Sequence, residues 1–141
     1  MTDASPDEPV DDSEPESEPG DAAARKPIEL HDGDELDALV AGEPIVLVEF
    51  YTNNCGICRS IEPVLGHVHR ETNVIVGACN PRTDMSLVDR FSIGSVPTLV
   101  LFYEGEQRAT LAEGFQGAER ILSFVESNLP DGAELEGPLV G

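Results

Sequence analysis

Ile45-Val46-Leu47-Val48-Glu49-Phe50-Tyr51, followed after three polar residues by Cys55-Gly56-Ile57-Cys58-Arg59, is the stretch on which the fold turns. The first seven residues are a nearly continuous β-prone run, the pattern of a central strand covered on both faces. Glu49 alone breaks it. The cysteines stand directly after that strand. They open a segment in which Ile57, Ile61, Val64, Leu65 and Val68 recur at helical spacing, which makes one apolar face of a helix from about Gly56 to Arg70. Pro63 lies inside it, removing a backbone donor and predicting a kink.

Working outward, strand-like and helix-like patterns alternate. Pro27 to Leu30 reads as a short strand. Asp32 or Asp34 caps a helix carrying Leu36, Leu39 and Val40, which Gly42 and Pro44 end. Val74 to Cys79 is a second buried strand, and Thr83 or Asp84 starts a short helix with Leu87, Val88 and Phe91. Thr98 to Tyr103 and Gln107 to Leu111 flank Glu104-Gly105-Glu106 as a hairpin. Gly114 to Gly117 lead into a last helix with Ile121, Leu122, Val125 and Leu129 inward, stopped by Pro130, after which the chain is expected to fray. The order β-α-β-α-β-α-β-β-α predicts an α/β fold, a central mixed sheet with helices on both faces.

Charge separates the chain into parts. Of its 141 residues, 28 are Asp or Glu and 8 are Lys or Arg, a formal charge of −20. Met1 to Ala24 holds nine acids, four prolines and no base, a composition that cannot bury enough apolar surface to order itself. We therefore expect an acidic tail over residues 1–25, a domain over 26–129 and a short tail over 130–141. Removing those nine acids from −20 leaves −11 on residues 25–141. Such a field repels nucleic acid and anionic membranes. Seven of the bases are arginine and one, Lys26, is lysine. An acidic, lysine-poor surface suits concentrated salt, where a Debye length of about 3 Å at 1 M screens self-repulsion. No apolar run approaches the roughly 18 residues of a membrane helix, and the first residues carry no signal-peptide pattern. The expected location is the cytoplasm of a halophile.

A C-x-x-C at a strand-to-helix junction of an α/β chain is a dithiol redox pattern. Free N–H groups and the positive dipole end at the helix start stabilise a thiolate at Cys55. Cys58, three residues on, is placed to attack a mixed disulfide formed there. Gly56 keeps the approach open, and Arg59 adds a fixed positive charge. Two other readings stand beside this one. A structural zinc site needs four ligands, and Cys79, His67 and His69 are the remaining candidates. The two histidines differ by two positions, so a helix turns them apart, and a solvated helix face is the simpler role for both. The pair could also be inert. Cys79 reads as a small buried hydrophobe.

Together, Val46-Leu47-Val48-Glu49-Phe50-Tyr51, Cys55-Gly56-Ile57-Cys58-Arg59, Pro63-Val64-Leu65 and Ser95-Val96-Pro97-Thr98-Leu99 resemble the thioredoxin family over roughly residues 26–129. Gly105 and Gly114 also fall where that family has glycines. The resemblance implies the thioredoxin fold, with Cys55 as the exposed nucleophile and Cys58 as the buried resolving thiol. It implies a reversible Cys55–Cys58 disulfide and a cis-proline at Pro97. Gly56, Ile57, Val96, Pro97 and Gly114 would contact substrate, the Val96 backbone by strand addition. Glu49 falls where the family has a buried acid that moves the resolving proton, and an apolar strand should raise its pKa. Departures are Asn54 in place of the usual Trp, Tyr51 at the earlier aromatic, Ile57 in place of Pro, and Ala78 in place of the lysine that accompanies the buried acid.

The implied activity is thiol–disulfide exchange that reduces protein disulfides. The expected protein is a monomer with no bound cofactor and no metal, whose electrons come from an external reductase and whose partners are disulfide-containing clients. The alternatives are a disulfide isomerase, a client-specific redox partner, or a binding module without turnover.

Overall fold

Strand β2 (Ile45–Phe50) takes the middle of a five-stranded sheet, as its apolar run predicts. In the computed structural model, which describes residues 26–137, all six of its residues are buried. The sheet order is β1-β3-β2-β4-β5. β1 (Ile28–Leu30) and β2 both run parallel to β3 (Ile75–Cys79). β4 (Thr98–Tyr103) is antiparallel to β2 and to β5 (Glu106–Leu111). Parallel neighbours require crossovers, and the helices α1 (Gly33–Gly42) and α2 (Gly56–Glu71) supply them.

Alternation along β2 sorts its side chains between two cores. Val46, Val48 and Phe50 pack with Leu36 and Val40 of α1 and with Leu87 of the short helix α3 (Ser86–Arg90). There Phe91 lies 5.3 Å from the Phe50 ring and edge-on to Phe102 at 5.9 Å, separations that suit aromatic quadrupoles. Ile45 and Leu47 face the other way, toward Ile61, Leu65 and Val68 of α2 and Ile121 of α4 (Ala118–Ser127). By the same alternation Glu49 belongs to the α2 face. This phase brings an acid under the cysteine helix.

Local chemistry sets the ends. Asp32 caps α1 by accepting the Glu35 N–H at 2.9 Å. α2 continues through Pro63 for 16 residues. The hairpin turn is two residues, not the expected three, because Glu106 already pairs with Tyr103. Glu104 and Gly105 both have positive φ, 50° and 85°, the backbone of a type I′ turn that follows the strand twist. The expected start of α3 also moves. Pro81–Thr83 forms a 3-10 turn capped by Asn80, and the Thr83 hydroxyl donates to the His31 and Asn80 carbonyls. Asp84 accepts from Ser86 but also ties down the Gly33 N–H at 2.8 Å.

Over residues 131–137 the chain is held in place rather than frayed as expected. Asn73 donates its N–H to the Glu136 carbonyl and its amide to that of Glu134, and accepts the Glu136 N–H at 2.8 Å. Leu135 packs on the α2 core. Gly137, at φ +127°, passes so close to the Glu71 backbone that no side chain fits there. Polar pairing at Asn73, which hydrophobic periodicity does not register, anchors this stretch. The expected acidic tail over residues 1–25 lies outside the described residues.

Candidate active site

Cys55 is the N-cap of α2, with extended backbone (φ −105°, ψ 106°). Its sulfur accepts the Cys58 N–H at 3.0 Å, so one of the orphan donors at the helix start already points at it. Cys55 and Cys58 form a disulfide, with Cα atoms 5.2 Å apart. Cys55 is half-buried, whereas Cys58 is wholly buried. That asymmetry lets a large partner reach only the first sulfur. Arg59, expected simply as a charge near the pair, donates to the Asn53 carbonyl at 3.1 Å and holds the preceding loop.

A second loop meets the pair from β4. The Val96–Pro97 peptide is cis, as the family resemblance implied, and the Cys55 sulfur is 3.9 Å from the Val96 carbonyl. The Thr98 hydroxyl donates to the Ser95 carbonyl at 2.6 Å and fixes this turn. Pro97 is buried and Val96 half-buried. Gly56 and Gly114 have open space where a side chain would begin, which leaves the approach to Cys55 clear on the Gly56 side. Gly114 lies in the β5–α4 turn with φ +79°. Ile57 beside Cys55 is exposed.

Sequence reading missed an apolar groove next to this loop. Its volume is about 220 Å³, and Thr52, Pro81, Met85, Val88, Ile93 and Val96 line it. Met85 and Phe115 are large apolar side chains left in solvent. Met85 is the residue just before α3 and Phe115 lies in the β5–α4 connection, so helical periodicity does not mark either.

Behind the pair lies a second pocket of about 220 Å³, lined by Glu29, Glu49, Tyr51, Glu62, Leu65 and Ala78, with Lys26 and Pro27 at its edge. Glu49 is only 1% exposed, and its Oε2 has no hydrogen-bond partner. Burial pushes its carboxyl up to about 8, helped by the negative charges of Glu62 and Glu29. The Tyr51 hydroxyl donates to Glu29 at 2.5 Å, and burial together with that carboxylate raises its pKa. Ala78, where a lysine was missing from the family pattern, leaves only a methyl group on this wall.

The histidines need correcting. His67 is exposed, but His69 is buried and accepts the Val76 N–H on Nδ1 at 3.0 Å. Val76 stands one residue before the first β1–β3 partner, Gly77, so the ring meets a donor that the short edge strand does not reach. Among the described residues no group of three or more His, Cys, Asp or Glu is placed to hold a metal ion. Burial pushes the free Cys79 thiol to about 11, which keeps it protonated and unreactive. No helix among the described residues is long and apolar enough to cross a membrane.

Comparison with known proteins gives a consistent result. The Thioredoxin family model matches residues 27–127. Thioredoxin from Mycobacterium tuberculosis is 35% identical over 97 residues, covering 66% of this chain and 83% of that protein. Thioredoxin from Pseudomonas aeruginosa is 31% identical over 97 residues, covering 67% and 88%. Among solved structures, a point mutant of thioredoxin from Halobacterium salinarum superimposes with a TM-score of 0.70 at 28% identity, covering 77% of this chain and 97% of that one.

Proposed function

Because the chain belongs to the thioredoxin family, we propose that its Cys55–Cys58 pair serves chiefly as a reductant of protein disulfides. The protein is a thiol–disulfide oxidoreductase of that family, whose members generally work with a reductase and with disulfide clients. The observation that carries the direction of attack is the half-buried Cys55 sulfur at a helix N-terminus, 3.9 Å from the Val96 carbonyl, with Cys58 sealed behind it.

In the proposed cycle the Cys55 thiolate attacks one sulfur of a client disulfide. A Cys55–client bond forms and the other client sulfur leaves as a thiolate. Client backbone lies along Val96-Pro97 in extended form, with Ile57, Gly56 and Gly114 bordering it. Cys58 gives its proton to the Glu49 carboxylate and attacks Cys55, releasing the second client thiolate. Two electrons have moved to the client, and the Cys55–Cys58 disulfide is left. An external reductase returns the pair to the dithiol, and no bound cofactor takes part. Burial holds the Glu49 carboxyl near 8, which makes its carboxylate a stronger proton acceptor than an ordinary one.

Equilibration against glutathione buffers tests the reductant reading. A potential more negative than about −220 mV places the pair among cellular reductants, whereas one near −180 mV or above marks an isomerase or oxidant. The polar Asn53-Asn54 approach is the feature that keeps a client-specific or isomerase role as the second reading. A turnover-free binding module would show no reduction at all.

We also infer a monomer in a salty cytoplasm, supported by the −20 charge and the single lysine. Its denaturation midpoint should rise steadily from low salt to molar salt. Equal stability and solubility at both ends would overturn the habitat.

A further inference from the structure

The wholly buried Cys58 and the nearly sealed Glu49 pose a problem of proton traffic. The exchange cycle takes a proton from Cys58 in one half and restores it in the other. Glu49, as the first acceptor, must itself pass that proton to water. Its exit is the pocket behind the pair, and its neighbours there are few. From the β1 side come Lys26 and Glu29, from the end of β2 Tyr51, from β3 only the Ala78 methyl, and from α2 Glu62 and Leu65. β4 contributes no titratable group opposite, since Leu99 is the residue paired with Glu49.

Helical geometry singles out Glu62. Positions 58, 62 and 65 are spaced i, i+4 and i+7, one stripe of α2. The buried resolving cysteine, the Glu62 carboxylate and the Leu65 wall of the pocket therefore share a helix face. Glu29 is engaged by the Tyr51 hydroxyl at 2.5 Å. Glu62 is exposed, and no hydrogen bond or ion pair engages its carboxylate among the described residues. Glu49, whose Oε2 has no hydrogen-bond partner, lines the same pocket. At about 220 Å³ the pocket has room for a short chain of waters, and the Glu29, Glu49 and Glu62 side chains on its otherwise mainly apolar wall offer them polar partners.

We propose that Glu62 is a positioning residue of the exchange reaction, relaying between Glu49 and solvent the proton that Cys58 loses and regains. This rests on the reading of Glu49 as the first acceptor. The proton passes from the Cys58 thiol to the Glu49 carboxylate, then to the Glu62 carboxylate, then to water. Both carboxylates are regenerated, and re-reduction reverses the path. The Glu62 charge also favours the proton-bearing form of Glu49, the second largest influence on it after burial.

The test is the resolving phase of the full-length reduced protein reacting with a disulfide peptide, followed by stopped flow across pH 5–9. Glu62→Gln keeps the shape but removes the charge and the acceptor. Its resolving rate near pH 7 should fall on the order of tenfold and should recover as imidazole buffer is raised from a few millimolar to a few hundred. Wild type should be insensitive to that buffer. Glu62→Asp should restore most of the rate, and the Glu49 carboxyl, followed by its isotope-labelled resonance, should titrate about 0.5–1 unit lower in Glu62→Gln. A slow variant without buffer rescue would assign Glu62 a merely structural role. If Glu62→Gln matches wild type in rate and pH profile while Glu49→Gln does not, the relay is overturned and Glu49 stands. If Glu49→Gln itself resolves with the wild-type rate and profile, both fall together.

Discussion

Cys55→Ser is expected to reduce no insulin above the uncatalysed background, while Cys58→Ser should react once and stop as a covalent mixed disulfide. The two outcomes differ because the sulfurs are not equivalent. Cys55 sits half-exposed at the N-cap, where the Cys58 N–H and the helix dipole stabilise its thiolate. Serine offers no thiolate there, and Cys58 cannot substitute, since it is fully buried. In Cys58→Ser the attacking sulfur remains but nothing displaces the client, so the adduct persists until an outside thiol removes it. Alkylation of the reduced wild type should accordingly label Cys55 first and Cys58 slowly. Substantial turnover by Cys55→Ser would refute this division of labour. The trapped adducts of Cys58→Ser, recovered at high salt, would name the clients directly.

Glu49→Gln should leave stability near pH 4 unchanged and raise it by several kcal/mol at pH 8 to 9. In the folded protein the carboxyl titrates near 8, against an ordinary value of 4.5. Below 4.5 the group is protonated whether folded or unfolded, and it costs nothing. Between 4.5 and 8 the unfolded chain releases a proton that the folded one keeps, so stability falls as pH rises. Above 8 the full difference is present. A gap of about 3.5 pH units corresponds to roughly 4–5 kcal/mol as an upper figure. The amide does not ionise, so the variant escapes this fall. Denaturant curves of the oxidised proteins at several pH values would measure it. Parallel stability profiles from pH 4 to 9 would show that the carboxyl is not held neutral by burial.

Much of the fold was legible because the signals were local and periodic. The run from Ile45 to Phe50 could be buried on both faces only inside a sheet, and the stripe Ile61, Leu65, Val68 fixed the covering helix. The cysteine pair was legible for the same reason, standing where strand gives way to helix. Features that depend on distant partners were not. His69 looked like one of two solvated residues, since nothing in its helix shows that Val76 needs an acceptor. Asn73 falls between the expected helix and strand, where periodicity assigns it nothing, yet it clasps a segment more than sixty positions later. Glu49 stood out as an acid in an apolar strand. Glu29 and Glu62, which share its pocket, are unremarkable in their own stretches, because only the pairing of β1 with β3 and the phase of α2 bring the three together.

That clasp fixes where residues 134–137 lie. Glu134 to Gly137 are held beside Asn73 and Glu71 at the C-terminal end of α2, and Cys55 caps its N-terminus. Sixteen residues of helix separate the two, about 24 Å at 1.5 Å per residue. A bead or electrode coupled at the exposed Glu136 is thus attached about one helix length from the sulfurs. Immobilised this way, the molecule presents its reactive end outward, and many copies can be anchored without crowding one another's chemistry.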